Sequence, residues 1–336
     1  MHPDNIWTRI RGKRNVVGYS KKLRKRIKDG EEVEEEVIRI YVSQKVDFSS
    51  LSLRDLIPGE IDGVPTDVVE VGEMKALDIH PQAHVTRIRP LVAGVSVGNW
   101  AITAGTLGWF FEDAGGRVAL GSNAHVFADN PLTPSSEEKR IVQPGRADQG
   151  KVPEDVVGTY LWHQPLAGSE CILSNAVAGL LNGVSSLLGR KTRFELSLVE
   201  KAKIDFGVAE PTADHEIRLH TAEDCEGFVG LGFAGSDQAS FLCKAEHIEA
   251  AGWSPVDKEI APVTVGDQIH KVGRTTEYTT GRVLDDSAYG RVSYGGVSYV
   301  EFDDVVLTTK MLEGGDSGSA GWTSISLAVS GFPNKI

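Results

Sequence analysis

The sequence predicts a mainly β protein, and two observations carry that reading. From Pro90 onward the chain consists of short apolar runs punctuated by glycine: Gly94-Val95-Ser96-Val97-Gly98, Ile102-Thr103-Ala104-Gly105-Thr106-Leu107-Gly108 and Arg117-Val118-Ala119-Leu120. Many short strands with close turn signals are the pattern of all-β sandwiches and barrels. Before that point, Val37-Ile38-Arg39-Ile40-Tyr41-Val42 and Thr66-Asp67-Val68-Val69-Glu70-Val71-Gly72 read as β-branched strands. Between them Leu51-Ser52-Leu53-Arg54-Asp55-Leu56 reads as a short helix or turn ahead of Pro58. Strands around one helical piece make a small α+β module over about residues 10–75.

Taken in order, the first marked feature is a basic run, Lys21-Lys22-Leu23-Arg24-Lys25-Arg26-Ile27-Lys28, answered by Glu31-Glu32-Val33-Glu34-Glu35-Glu36. A basic cluster can serve nucleic acid or membrane. Here the turn dipeptide Asp29-Gly30 folds the two arms into a charged hairpin that neutralises itself. The net charge of −12 argues against nucleic acid as a partner, because phosphate binding is built on clustered Lys and Arg. His80 and His84 follow in a linker and lack the carboxylate or thiolate neighbours of a metal site.

At 336 residues the chain has room for two or three domains. No run approaches the ~18 apolar residues of a membrane span, and the first residues are charged where a secretory signal would be apolar. A cytoplasmic protein without membrane contact is the expectation. Cys171, Cys225 and Cys243 are widely spaced and form no CxxC pair, so they read as buried thiols, neither a disulfide framework nor a metal site.

The chemistry concentrates near the end of the chain, in Gly314-Gly315-Asp316-Ser317-Gly318-Ser319. Two glycines, an acid, a serine and a glycine make a tight turn that presents a hydroxyl and frees backbone N–H groups, unless the segment is simply a glycine-rich hairpin turn. With Ser317 as nucleophile, the N–H groups of Gly315 and Ser317 point at the oxygen that turns negative during acyl transfer. A serine needs a base, and the base needs an orienting acid. His125, between small residues in Gly121-Ser122-Asn123-Ala124-His125-Val126-Phe127-Ala128, follows a predicted strand. Asp205, in Lys203-Ile204-Asp205-Phe206-Gly207-Val208-Ala209, sits in an apolar segment that reads as a buried strand, where an unpaired carboxylate is costly. The alternatives are a structural histidine and a strand-end aspartate.

The order His125, Asp205, Ser317, with Ser122-Asn123-Ala124-His125-Val126, Asp205-Phe206-Gly207-Val208-Ala209 and Gly315-Asp316-Ser317-Gly318-Ser319 around them, resembles the trypsin-like serine peptidases. The likeness is to an intracellular bacterial branch with an N-terminal module. Ile61-Asp62-Gly63-Val64-Pro65-Thr66-Asp67-Val68-Val69 is similar to that module, and Val272-Gly273-Arg274-Thr275-Thr276 to a strand of the second barrel. The resemblance implies two antiparallel six-stranded β-barrels with the site in the cleft between them. The corresponding division is a small α+β module at 1–85, a first barrel at 86–215 carrying an inserted segment at 164–200, and a second barrel at 216–336. It implies Ser317 as nucleophile, His125 as base, Asp205 as the residue that holds the His125 tautomer, and Gly315 and Ser317 as the oxyanion hole. Met311, six residues before the serine, would lie at the base of an apolar specificity pocket unless it is core filling. A protein or peptide substrate is implied, and no metal or organic cofactor. Asp316 pairs with a processed N-terminal amine in many such proteins, and its partner here is left open.

Two departures stand out. The segment 164–200 is rich in Ala, Gly, Ser and Leu and reads as a helical insertion or surface loop. Only residues 318–336 follow Ser317, where the resemblance implies further strands. One strand at 324–330, and a second barrel left open with an unpaired sheet edge, are the expectation. Such a site belongs either to a serine endopeptidase or to a peptidase-like binding module without catalysis; self-processing is a third reading. Two formal motifs carry little. Gly94-Val95-Ser96-Val97-Gly98 matches GxSxG without the helix that an elbow needs. Gly230-Leu231-Gly232-Phe233-Ala234-Gly235 matches GxGxxG outside any βαβ pattern and reads as a flexible connection between barrels. His163, His215, His220, His247 and His270 read as surface or structural.

Overall fold

A computed structural model describes residues 3–28, 31–47, 50–72, 74–76, 84–166, 201–212, 225–294 and 298–325. The fold is mainly β, as its short glycine-bounded runs dictate. In chain order it comprises α1 (Pro3–Ile10), β1 (Val16–Ser20), β2 (Arg24–Lys28), β3 (Glu31–Val42), β4 (Glu60–Ile61), β5 (Val64–Glu70) and β6 (Lys75–Ala76). Then come β7 (Ser96–Asn99), β8 (Gly105–Thr106), β9 (Trp109–Asp113), β10 (Val118–Ser122), α2 (Ala124–Phe127), β11 (Arg140–Val142), β12 (Val156–His163) and β13 (Gly207–Pro211). The last third holds β14 (Cys225–Gly235), β15 (Ala239–Lys244), α3 (Ala245–Ala250), β16 (Trp253–Pro255), β17 (Gln268–Gly273), β18 (Glu277–Tyr294), β19 (Ser298–Thr309) and β20 (Ala320–Ile325).

The basic and acidic arms pair as the charge pattern predicts. β2 and β3 are antiparallel with Lys25 opposite Glu36 and Lys28 opposite Glu31, and Lys25 and Arg26 reach Glu34 and Glu35 at 2.6 and 2.7 Å. The Asp29-Gly30 turn lies outside the described residues. The segment 51–56 takes turns rather than a helix. The module's sheet does not stand apart, because β1 pairs antiparallel with β18, Gly18 opposite Gly290.

Six strands of the larger sheet form a ring in the order β17-β20-β14-β15-β19-β18, and β17–β18 pairing closes it. β20, which follows the serine turn, is flanked by β14 and β17. The expected unpaired edge is therefore absent at this strand. The physical reason is strand order: β17 and β18, which precede the serine, stand between β20 and β19, so the ring needs one strand after it. That strand starts at Ala320, and residues 326–330 of the predicted one lie outside the described residues. The other sheet has eight strands in the order β16-β9-β10-β13-β12-β11-β7-β8 and curls into a half-barrel.

Of the inserted segment 164–200, residues 167–200 lie outside the described residues, as does Cys171. A second correction concerns the glycines of 230–235, which lie in the interior of strand β14 and not in a flexible connection. A Cβ on Gly230 would strike the Cys243 carbonyl, and one on Gly232 the Leu312 side chain at 2.7 Å. The glycines are there because neighbouring chains approach closely. The GxSxG match is followed by a turn and the strand β8, with no helix after it, and its Ser96 lies in β7 and donates to Asp148 Oδ2 at 2.5 Å.

The two sheets meet through aromatic rings. Trp109 stacks edge-on against Trp322 at 4.7 Å, and Phe111 against Phe206 at 4.9 Å and Phe228 at 5.7 Å. Each buried ring contributes about 1.5–3 kcal/mol by leaving water, and an edge-to-face pair adds about 0.5–1.5 kcal/mol. Phe206 is fully buried in this cluster, which fixes the backbone of its neighbour Asp205.

Candidate active site

His125 lies on α2, a single helical turn directly after β10, with Ala124, Val126 and Phe127 buried around it. Asp205 lies just before β13 instead of inside it. Its carboxylate is fully buried, and three donors meet it. His125 Nδ1 approaches Oδ2 at 2.5 Å, the Tyr294 hydroxyl donates to the same oxygen at 2.7 Å, and the His125 backbone N–H donates to Oδ1 at 3.3 Å. Asn123 Nδ2 donates to the Asp205 carbonyl at 2.7 Å, which ties the segment before α2 to the segment that leads into β13. The sequence therefore brings His125 and Asp205 together across 80 positions, as the pairing argument requires.

The serine turn follows β19 and is held by both sheets. Thr106 of β8 donates its N–H to the Ser317 carbonyl at 2.8 Å and its hydroxyl to the Gly315 carbonyl at 2.9 Å. Thr275 Oγ1 donates to the Gly314 carbonyl at 2.6 Å, and the Gly318 N–H to the Gly232 carbonyl at 2.8 Å. Gly315 and Gly318 both have φ of +95°, a region where L side chains are strained. Any Cβ there would also meet the Arg274 and Thr275 side chains or the Thr106 carbonyl. Among the described residues, the N–H groups of Gly315 and Ser317 donate no hydrogen bond within the fold. A Cβ on Gly105 would touch both the Val126 side chain and the Ser317 carbonyl, so the histidine turn and the serine turn are packed against one another.

His125 Nε2 and Ser317 Oγ are both buried, and among the described residues neither has a hydrogen-bond partner. They are not bonded to one another in this state. Buried polar atoms without partners are uncommon in folded proteins and costly.

Asp316 finds its partner inside the fold. Lys271 Nζ lies 3.0 Å from Asp316 Oδ2, with the lysine side chain 1% and the aspartate 0% exposed. Thr275 N–H and Thr276 N–H donate to Oδ1 at 2.9 and 3.1 Å, and Thr276 Oγ1 and Glu313 N–H to Oδ2 at 2.6 and 3.0 Å. Burial pulls the Lys271 ammonium below its usual pKa, and the Asp316 carboxylate works against that. Met311 is buried in a cluster with Val229, Leu242, Ile269 and Leu312, its sulfur against Gly281.

Sequence reasoning missed Lys271 and Tyr294. Lys271 had a signal, because it occupies an inward position of the alternating strand Gln268–Gly273 beside Ile269, where a lone cation calls for an anion. Tyr294 had none, since a tyrosine ending a strand is ordinary. Of the remaining candidates, His84 bonds the Gly94 carbonyl and His163 the Tyr160 hydroxyl, while His270 bonds the Tyr278 hydroxyl. His247 lies with Glu246 and Asp304 in a group whose ligand atoms fall within 4.8 Å of one another. The Asp304 carboxylate of this group already accepts from the Lys244 ammonium at 2.8 Å. Cys225 and Cys243 are both buried, and burial pushes the Cys243 thiol up to about 12. Among the described residues no helix is long and apolar enough to cross a membrane.

No protein-family model matches the chain, and no curated protein matches it.

Proposed function

We propose that this chain is a serine endopeptidase of the trypsin-like kind, acting on a protein or peptide substrate through Ser317, His125 and Asp205. The observation that carries the reading is the 2.5 Å contact of His125 Nδ1 with the buried Asp205 carboxylate. It leaves Nε2, which has no hydrogen-bond partner among the described residues, as the nitrogen available to act as base. In the proposed reaction Ser317 Oγ bonds to the scissile carbonyl carbon while His125 Nε2 takes the hydroxyl proton. Asp205 orients the ring and stabilises the imidazolium. The free N–H groups of Gly315 and Ser317 would receive the oxyanion. The proton passes to the leaving amine as the C–N bond breaks, and water then releases the acyl group by the same route. Met311, 3% exposed inside its core cluster, fits the core-filling alternative, and no substrate contact is proposed for it.

The missing bond between Ser317 and His125 favours a second reading, a peptidase-like binding module. Nucleophile–base bonds are often long without substrate and tighten in the complex, which keeps the enzyme reading ahead. Incubating the protein with a mixed peptide library separates the two. New termini that Ser317→Ala fails to generate support the enzyme, and binding of peptides without cleavage supports the module.

A further inference from the structure

Asp205 is oriented from two directions. His125 and Asp205 belong to the half-barrel, whereas Tyr294 is the last residue of β18, a strand of the ring. Its hydroxyl donates at 2.7 Å to Oδ2, the oxygen that also takes His125 Nδ1. Its ring stands edge-on to the imidazole, 5.5 Å between centroids at 70°, and contacts Phe302 of the neighbouring strand at 6.4 Å. A carboxylate with 0% exposure has no solvent to complete its shell, so each donor both offsets desolvation and fixes its rotation. Burial, together with the adjacent Asp205 carboxylate, holds the phenol well above the usual tyrosine pKa, and a protonated phenol is what donation requires.

We infer that Tyr294 is a positioning residue for the triad, its hydroxyl locking Asp205 Oδ2 from the ring sheet so that His125 is aimed only when the two sheets are docked. This rests on the triad reading of His125 and Ser317. Two donors on one oxygen share its electron density, so Tyr294 also limits how strongly Oδ2 holds the Nδ1 proton. Removing the hydroxyl makes that hold stronger and its direction looser.

The test compares the natural protein with Tyr294→Phe by two readouts. The first is proton NMR of the 15N-histidine-labelled protein, which follows the His125 Nδ1–H resonance and needs no activity. The second is the rate of labelling by a fluorophosphonate, resolved into the maximal rate and the half-saturating concentration. Losing a hydrogen bond to a charged group predicts a maximal rate lower by about 10- to 100-fold with half-saturation unchanged, and an Nδ1–H resonance moved downfield. An unmoved resonance and an unchanged rate in a folded Tyr294→Phe overturn the inference. No labelling of the natural protein, with the resonance still moved by Tyr294→Phe, upholds the Tyr294 role and removes the enzyme reading instead. Should Tyr294→Phe fail to fold, a ring-fluorinated tyrosine placed at 294 keeps the volume and strengthens the donor. The resonance must then move upfield, and no movement overturns the inference.

Discussion

Lys271 and Asp316 form a fully buried ion pair, Nζ to Oδ2 at 3.0 Å, one residue away from Ser317. It supplies from within strand β17 the cation that the resemblance would draw from a processed chain terminus. With Thr275 and Thr276 it pins the acid of the serine turn, and so the direction of the Gly315 and Ser317 N–H groups.

Removing one partner of a buried pair strands the other. Lys271→Met is expected to cost about 3–5 kcal/mol of stability, read from denaturant unfolding. Fluorophosphonate labelling of the folded fraction should fall with it, since the turn loses its anchor. A variant that melts like the natural protein and labels at the same rate would contradict this role.

Gly315→Ala separates turn geometry from fold. Its φ of +95° and the nearby Arg274 and Thr275 side chains leave no place for a Cβ. The expected result is a loss of roughly 1–3 kcal/mol from backbone strain and a labelling rate lower by about 100-fold, the scale of one lost oxyanion donor. Paired calorimetry and labelling kinetics check both numbers.

The charges of the N-terminal hairpin are not equal in weight. Glu34 is 90% exposed and pairs with a half-exposed Lys25, so Glu34→Ala should change stability by less than about 1 kcal/mol. Arg24 pairs with Asp285, whose side chain is 0% exposed and also accepts from the Tyr41 hydroxyl. Arg24→Ala leaves that carboxylate buried without its cation and should cost about 3–5 kcal/mol. Urea midpoints of the two variants, at low and high salt, decide the ranking.

Acid sensitivity should arise in part from His163 and His84. Burial lowers the pKa of both below the ordinary histidine value. The fold therefore favours the neutral ring, while the unfolded chain takes protons from about pH 6.5 downward. The stability these residues contribute is present above that pH and is lost as pH falls below it. Melting temperature against pH for His163→Asn should be flatter than for the natural protein in that range, and a parallel curve would contradict the assignment.

How far the sequence could be read depended on whether a signal was local. The charged hairpin, the strands around residues 37–42 and 66–72, and the short strands after Pro90 were legible because alternation and turn residues act over a few positions. His125 with Asp205 was legible because a buried acid and a lone histidine each need a partner. Ring closure was not, since the place of β17 and β18 between β20 and β19 is a long-range pairing. The 18 residues of β18 change partner along their length, pairing first with β17 and then with β19, with register shifts between Val283 and Tyr289, which no local pattern announces. Glycines 230–235 misled because close strand packing and flexible loops both select glycine.

The central claim is that Ser317, His125 and Asp205 act together on a carbonyl, and covalent labelling by a fluorophosphonate with the adduct located by peptide mass spectrometry tests it most directly. The account predicts one adduct, on Ser317, absent in Ser317→Ala and His125→Ala. No adduct on a demonstrably folded natural protein, or an adduct that persists in both variants, would contradict it.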